Sequence, residues 1–163
     1  MAGSQHDIVG AAAESTGQSG RNKMPIPVIV LNWNGVDDTI ACVDALLAGE
    51  GVDYRVVLVD NGSSGDDFER LQARYASEEC VELRKNPDHL GFARGVNAVL
   101  RDLLASAESR PEFIALLNND AVPEPGWLSA LLGMAESSEA GAVSSKMLRY
   151  DDPYKLDNAG HVF

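Results

Sequence analysis

The chain has 163 residues, enough for one domain with its own core, and its 45% hydrophobic content is that of an ordinary globular protein. A formal net charge of −12 argues against a nucleic-acid partner and gives no attraction to anionic lipid. Cys42 and Cys80 form no CxxC pair, cannot build a zinc site alone, and read as reduced packing residues of a cytosolic protein.

Residues 1–24, rich in Ala, Gly, Ser and Gln, have no sustained period and read as a tail. The apolar patch at 8–13 is too short for a signal segment and lacks a basic lead. No stretch reaches the length of a membrane span. From residue 25 onward, strand and helix patterns alternate. Residues 27–32 (PVIVLN) form a β-branched run and predict a buried strand. Asp37 or Asp38 then caps a helix carrying Ile40, Val43 and Leu47 on one face, with Gly49 at its end. Residues 55–60 predict the second strand. Ser63 or Ser64 offers a cap for a helix with Phe68, Leu71 and Tyr75 at helical spacing. Residues 80–84 predict a third strand, Gly91 opens a helix with Val96, Leu100 and Leu103 inward, and residues 113–117 predict a fourth strand. Pro123 and Pro125 introduce a helix with Trp127, Leu128, Leu131 and Leu132, and residues 140–144 predict a fifth strand. From Lys146 the chain turns polar and turn-rich. This order predicts an α/β fold with a mostly parallel sheet covered by helices on both faces.

Two apolar strands end in polar groups, Asp60-Asn61-Gly62-Ser63 and Asn118-Asn119-Asp120. Open α/β sheets bind ligands at their carboxyl edge. Asp60 ends a run too apolar to hold a stray carboxylate without a partner, and its oxygens can accept from a base N–H or a ribose hydroxyl. The alternative, a helix cap, is already offered by Ser63. Pro123 and Pro125 delay the next helix beyond Asp120, which leaves that carboxylate without a capping duty and able to ligate Mg²⁺ or Mn²⁺ while diphosphate oxygens and water complete the shell. The amide-rich turn Asn32-Trp33-Asn34 after the first strand is either ordinary turn chemistry or a nucleoside contact. The helix start GFARGVN places Gly91 and Gly95 where backbone can approach an anion and Arg94 where a guanidinium can reach a diphosphate; a solvated arginine at a glycine-eased helix start explains the same residues equally well. Its spacing is not GxGxxG. His6, His89 and His161 show no metal spacing.

Taken in order, PVIVLNWNG, VVLVDNGSSGD, NPDHLGFARGVN and FIALLNND resemble the nucleotide-binding half of family 2 glycosyltransferases of the GT-A fold, rhamnosyltransferase-like branch, from about Pro27 onward. The resemblance implies inverting, metal-assisted transfer from a UDP or dTDP sugar to a hydroxyl acceptor, a glycan or lipid-linked glycan of polysaccharide or cell-wall synthesis. The expected location is cytoplasmic, in solution or peripheral to a membrane, and no nucleic-acid partner is expected. It places Asn32, Trp33, Asn34 and Asp60 against base and ribose, with Asn118 and Asn119 also at the nucleotide. Arg94, Gly91 and Gly95 fall near the diphosphate, and Asp120 is the ligand of Mg²⁺ or Mn²⁺. The first aspartate of the family's DxD pattern is Asn118 here. Family members continue into an acceptor-binding half that holds the general base. Nothing after Asp120 fits that role, although His161 falls in a segment resembling the turn toward the acceptor region. The general base is therefore expected beyond Phe163, and residues 25–163 are expected to be a donor-binding domain truncated before the acceptor half. The competing readings are a nucleotide-sugar-binding module without catalysis and a sugar nucleotidyltransferase. The second would want a basic phosphate loop after the first strand, and residues 32–39 contain no basic residue.

Overall fold

A computed structural model of the chain describes residues 24–152 and 154–158. Two strands form its centre. β1 (Ile26–Asn32) reads IPVIVLN and β2 (Tyr54–Asp60) reads YRVVLVD. Both are buried along most of their length, as strands between two helical layers must be. They pair in parallel from Ile26 opposite Tyr54 to Asn32 opposite Asp60. β3 (Val81–Lys85) adds in parallel outside β2, and β4 (Ala115–Asn118) in parallel outside β1, giving the order β3-β2-β1-β4.

Each of these strands is followed by a helix: α1 (Val36–Leu47), α2 (Asp67–Tyr75), α3 (Gly91–Leu104) and α4 (Trp127–Ser137). Period-2 alternation sorts the core into two layers. Val28, Val30, Val56 and Leu58 pack against Cys42, Val43 and Leu46 of α1, Leu71 and Tyr75 of α2 and Leu128 of α4. Ile29, Val57 and Val59 pack against Val99 and Leu103 of α3. The helices thus cover both faces, as the alternating pattern predicts. The chain steps outward from β1 to β3 and then returns past β1 to β4. Right-handed crossovers put a connection that reverses direction on the opposite face, which accounts for α3 standing apart from α1 and α2. The gap between the carboxyl ends of β1 and β4 is therefore the switch point where such sheets take ligands.

Several local expectations differ. Residues 140–144 are not a strand; the run AGAVS has too little apolar surface to hold a sheet edge. The polar end instead forms a small antiparallel ladder of β5 (Met147–Leu148) with β6 (Leu156–Asn158). Neither α1 nor α2 has a side-chain cap. Asp37 and Asp38 lie inside the first turn of α1, where their charge meets the positive end of the helix dipole. Ser63 and Ser64 bond to other groups, described below. The buried side of α1 is Val36, Thr39, Cys42, Val43 and Leu46, one step round from the predicted face. Tail residues 1–23, with His6, lie outside the described residues, and so do residues 159–163, with His161 and Phe163. Among the described residues no helix is long and apolar enough to cross a membrane.

Candidate functional site

At the carboxyl end of β1, Asn32 has no exposed surface. Its amide nitrogen lies 3.0 Å from Asp60 Oδ1, 3.0 Å from Ser63 Oγ and 3.0 Å from Asp67 Oδ2. Two N–H groups facing three oxygens fix the amide's orientation and leave one bond shared. Two buried carboxylates thus converge on one neutral donor, with Asp67 also at the positive N-terminal end of α2. Asp60 further accepts from the Ser63 N–H at 3.4 Å. The side-chain oxygen of Asn32, Oδ1, accepts from the Thr39 hydroxyl at 2.8 Å, and that hydroxyl accepts from the Asn119 side-chain amide at 3.0 Å. One line of side chains, Asp60–Asn32–Thr39–Asn119, therefore joins the ends of β2, β1 and β4.

The loops above these strand ends are tied together. Asn34 adopts a positive φ of 52°, which asparagine tolerates better than most residues. Its N–H donates to Ser63 Oγ, and its side-chain oxygen accepts from the Ser64 N–H at 2.8 Å. Trp33, 52% exposed, stacks on His89 with ring centroids 3.9 Å apart and planes 20° from parallel. Asn61, buried beside Asp60, accepts from the Asn86 amide and the Leu90 N–H and donates to the Gly91 carbonyl, so it fixes the loop leading into α3. Gly62 makes this contact possible. Its φ is +75°, and a Cβ there would lie 2.3 Å from the Asp88 carbonyl carbon.

The expected site residues divide by position. Sequence reasoning put Asn32 and Asp60 against the base and ribose; both are fully buried because their polar groups bond to each other, Ser63, Asp67 and Thr39, and they lie beneath the surface that Trp33 and Asn34 expose. Gly95 is buried, and a Cβ on it would meet Leu31 Cδ2 at 2.6 Å, so its missing side chain serves helix–sheet packing. Gly91, with φ +73° and open space around it, begins α3. Arg94 is exposed; its Nε–H donates to the Leu90 carbonyl, which anchors the guanidinium at the start of α3. Asn118 and Asp120 are exposed and Asn119 is half-buried. The expectation of a general base beyond Phe163 concerns positions outside the described residues. Thr39, Asp67 and Asn86 escaped the sequence reading, and Asn61 stood in a polar strand end without a role of its own. The available signal was Thr39 itself, a polar residue spaced with Val36 and Val43 on the apolar side of α1.

Among the described residues, the Asp120 carboxylate has no hydrogen-bond or ion-pair partner. No cluster of three or more His, Cys, Asp or Glu side chains there could form a protein-built metal cage. One free carboxylate beside two amides suits a divalent cation only if diphosphate oxygens and water supply the remaining ligands, which is the usual habit of Mg²⁺. Asp120 also acts inward. Burial pushes the Cys42 thiol up to about 12, and the nearby Asp120 charge adds to the shift. Cys42 donates to the Asn118 carbonyl at 3.4 Å. The thiolate, the reactive form, is suppressed at any pH below that value. Ellman's reagent at pH 8 should therefore titrate partly exposed Cys80 in the native chain and gain a second equivalent, Cys42, only on unfolding. Two fast equivalents in the native chain would contradict this burial.

A parallel sheet whose polar strand ends are cross-linked at its switch point belongs to the ligand-binding class of open α/β proteins. Comparison with known proteins narrows the class. Residues 28–161 match the model for glycosyl transferase family 2, and the chain belongs to that family. It is 24% identical over 110 residues to the bifunctional glycosyltransferase pgtA of Dictyostelium discoideum, covering 67% of this chain and 14% of that protein. It is 32% identical over 108 residues to the O-antigen biosynthesis protein RfbC of Myxococcus xanthus, covering 65% of this chain and 8% of that protein. Among solved structures, the mannosyltransferase PcManGT from Pyrobaculum calidifontis, in complex with GDP-Man and Mn²⁺, superposes with a TM-score of 0.62 at 20% identity, over 81% of this chain and 38% of that one. S. aureus TarS 1-349 in complex with UDP-GlcNAc gives 0.58 at 15% identity, over 77% of this chain and 40% of that one. These likenesses bear out the expected GT-A fold. The chain spans less than half the length of each of these proteins.

Proposed function

We propose that this chain forms the donor-binding part of a glycosyltransferase that moves a sugar from a nucleotide diphosphate, a UDP or dTDP sugar such as rhamnose, to a hydroxyl acceptor with inversion. The observation that supports it most is the unbroken hydrogen-bonded line from Asp60 to Asn119, which joins the end of β2 to the loop carrying Asp120. Trp33 and Asn34 supply the exposed surface for the nucleoside. Asn32 and Asp60 hold the turn beneath it. Arg94 offers the diphosphate a guanidinium, and Asn118 and Asn119 offer neutral amides. A divalent ion, Mg²⁺ or Mn²⁺, would be held by Asp120, where it supplies charge neutralisation for the departing diphosphate. The acceptor hydroxyl needs a base to take its proton, and none of the described residues is assigned that duty.

Thermal unfolding with Mn²⁺ and millimolar UDP, dTDP or GDP tests this reading. One nucleotide should raise the midpoint only when metal is present, by roughly 5–10 °C at a hundredfold excess over Kd. No metal-dependent shift with any of the three would overturn it. Transfer or donor hydrolysis by the chain would extend the role to catalysis, and binding without turnover would confine it to the donor step.

A further inference from the structure

We infer that Thr39 is a positioning residue that couples the metal end of the site to its nucleoside end, an inference that rests on the functional reading above. Thr39 has no exposed surface and touches neither expected ligand. Its hydroxyl nonetheless occupies the centre of the site's polar line. It accepts from the Asn119 amide, one residue before Asp120. Its proton has two candidate acceptors, Asn32 Oδ1 at 2.8 Å and the Gly35 carbonyl at 2.9 Å. The Gly35 carbonyl already accepts from the Thr39 N–H at 3.0 Å, whereas the fully buried Asn32 Oδ1 has no other side-chain donor among the described residues. An unmade bond costs more at Asn32, so the proton goes there. This fixes the polarity of the line: Asn119 donates to Thr39, Thr39 to Asn32, and Asn32 to Asp60, Ser63 and Asp67.

The space around the line is tight as well. A Cβ on Gly35 would stand 3.1 Å from the Asn119 amide nitrogen, so the β4 loop is seated against the very turn that carries Trp33 and Asn34. Any movement of Asn119 when Asp120 takes up a cation is passed to the Thr39 oxygen, then to the Asn32 amide, and so to Ser63, which holds the Asn34 N–H. Packed polar networks of this kind transmit displacement because few of their members can move alone. Metal binding and nucleoside binding are thereby linked through the protein, in addition to any link through a bridging diphosphate.

The test is the ratio of nucleotide dissociation constants without and with Mn²⁺, measured by calorimetry for UDP or dTDP on the wild-type chain, Thr39→Val and Thr39→Ser. A purely structural defect weakens both constants together and leaves the ratio unchanged. Coupling through the hydroxyl lowers the ratio at least about fivefold in Thr39→Val and restores it in Thr39→Ser. Where Thr39→Val does not fold, Thr39→Ala removes the same hydroxyl without touching the expected ligand contacts and should lower the ratio likewise. A wild-type ratio in the folded Thr39→Val variant, or in Thr39→Ala where it substitutes, would overturn the coupling while leaving the functional reading intact. A wild-type chain that binds no nucleotide, or binds it with no response to Mn²⁺, would overturn both.

Discussion

Asp120→Asn should abolish the response of nucleotide binding to Mn²⁺ while leaving metal-free binding within about twofold of the wild-type chain. Asp120, just past the end of β4, has a carboxylate without a hydrogen-bond or ion-pair partner among the described residues, and its neighbours Asn118 and Asn119 contribute only neutral amides. A hard divalent cation needs anionic oxygen, so the substitution removes the protein's charged ligand without altering side-chain shape. The residue is exposed, and the polar line below it ends at Asn119, so the fold should persist. The metal-dependent rise in melting temperature should disappear with it. Retention of the full Mn²⁺ response in Asp120→Asn would move the metal elsewhere and remove the main chemical role assigned to the loop after β4.

Asn32→Ala should show the largest loss of stability in the site, about 3–5 kcal/mol by denaturant unfolding at unchanged m-value. The alanine takes away the amide that faces Asp60, Ser63 and Asp67 at once. Asp67 is left with the start of α2 and Asp60 with one long bond from the Ser63 N–H. Both carboxylates stay where the core puts them, with little water to replace the lost donors. Such a loss is a large part of the roughly 5–15 kcal/mol that usually separates folded from unfolded chains. The surface pairs Arg70–Asp37 and Arg74–Asp44, which link α2 to α1, are screened by solvent and contribute far less. A loss under about 1 kcal/mol in Asn32→Ala would mean that the buried carboxylates find other partners.

Much of this architecture can be read directly from sequence because its main determinants are local. PVIVLN and VVLVD are continuous apolar runs, and no helix of that length or composition competes with them. The abrupt change from apolar to polar at Asp60 and at Asn118-Asn119-Asp120 marks strand ends at one edge, where the structure places them. What pattern cannot convey is which polar group faces which. The three acceptors facing the Asn32 amide nitrogen lie 28, 31 and 35 residues away, and Asn119 meets Thr39 across 80 residues. Those meetings depend on strand order and on the crossover from β3 to β4, neither of which leaves a periodic trace. Asp60 illustrates the consequence. The sequence shows that its carboxylate needs a partner, but a ligand and Asn32 satisfy that requirement equally well. The last region fails for a different reason. Residues 140–144 have small side chains, while the β5–β6 ladder draws on exposed Met147, Leu148 and Leu156, so no buried face marks it in the pattern.

The most direct test of a single metal and nucleotide site is paramagnetic broadening of backbone amide resonances by substoichiometric Mn²⁺ with UDP or dTDP present. Broadening should be strongest at residues 118–121 and weaken through 32–35 toward 60–63, following the edge of the sheet from β4 across β1 to β2. Broadening centred on the carboxylates of Asp151 and Asp152, with the resonances of Asn119 and Asn34 untouched, would contradict it.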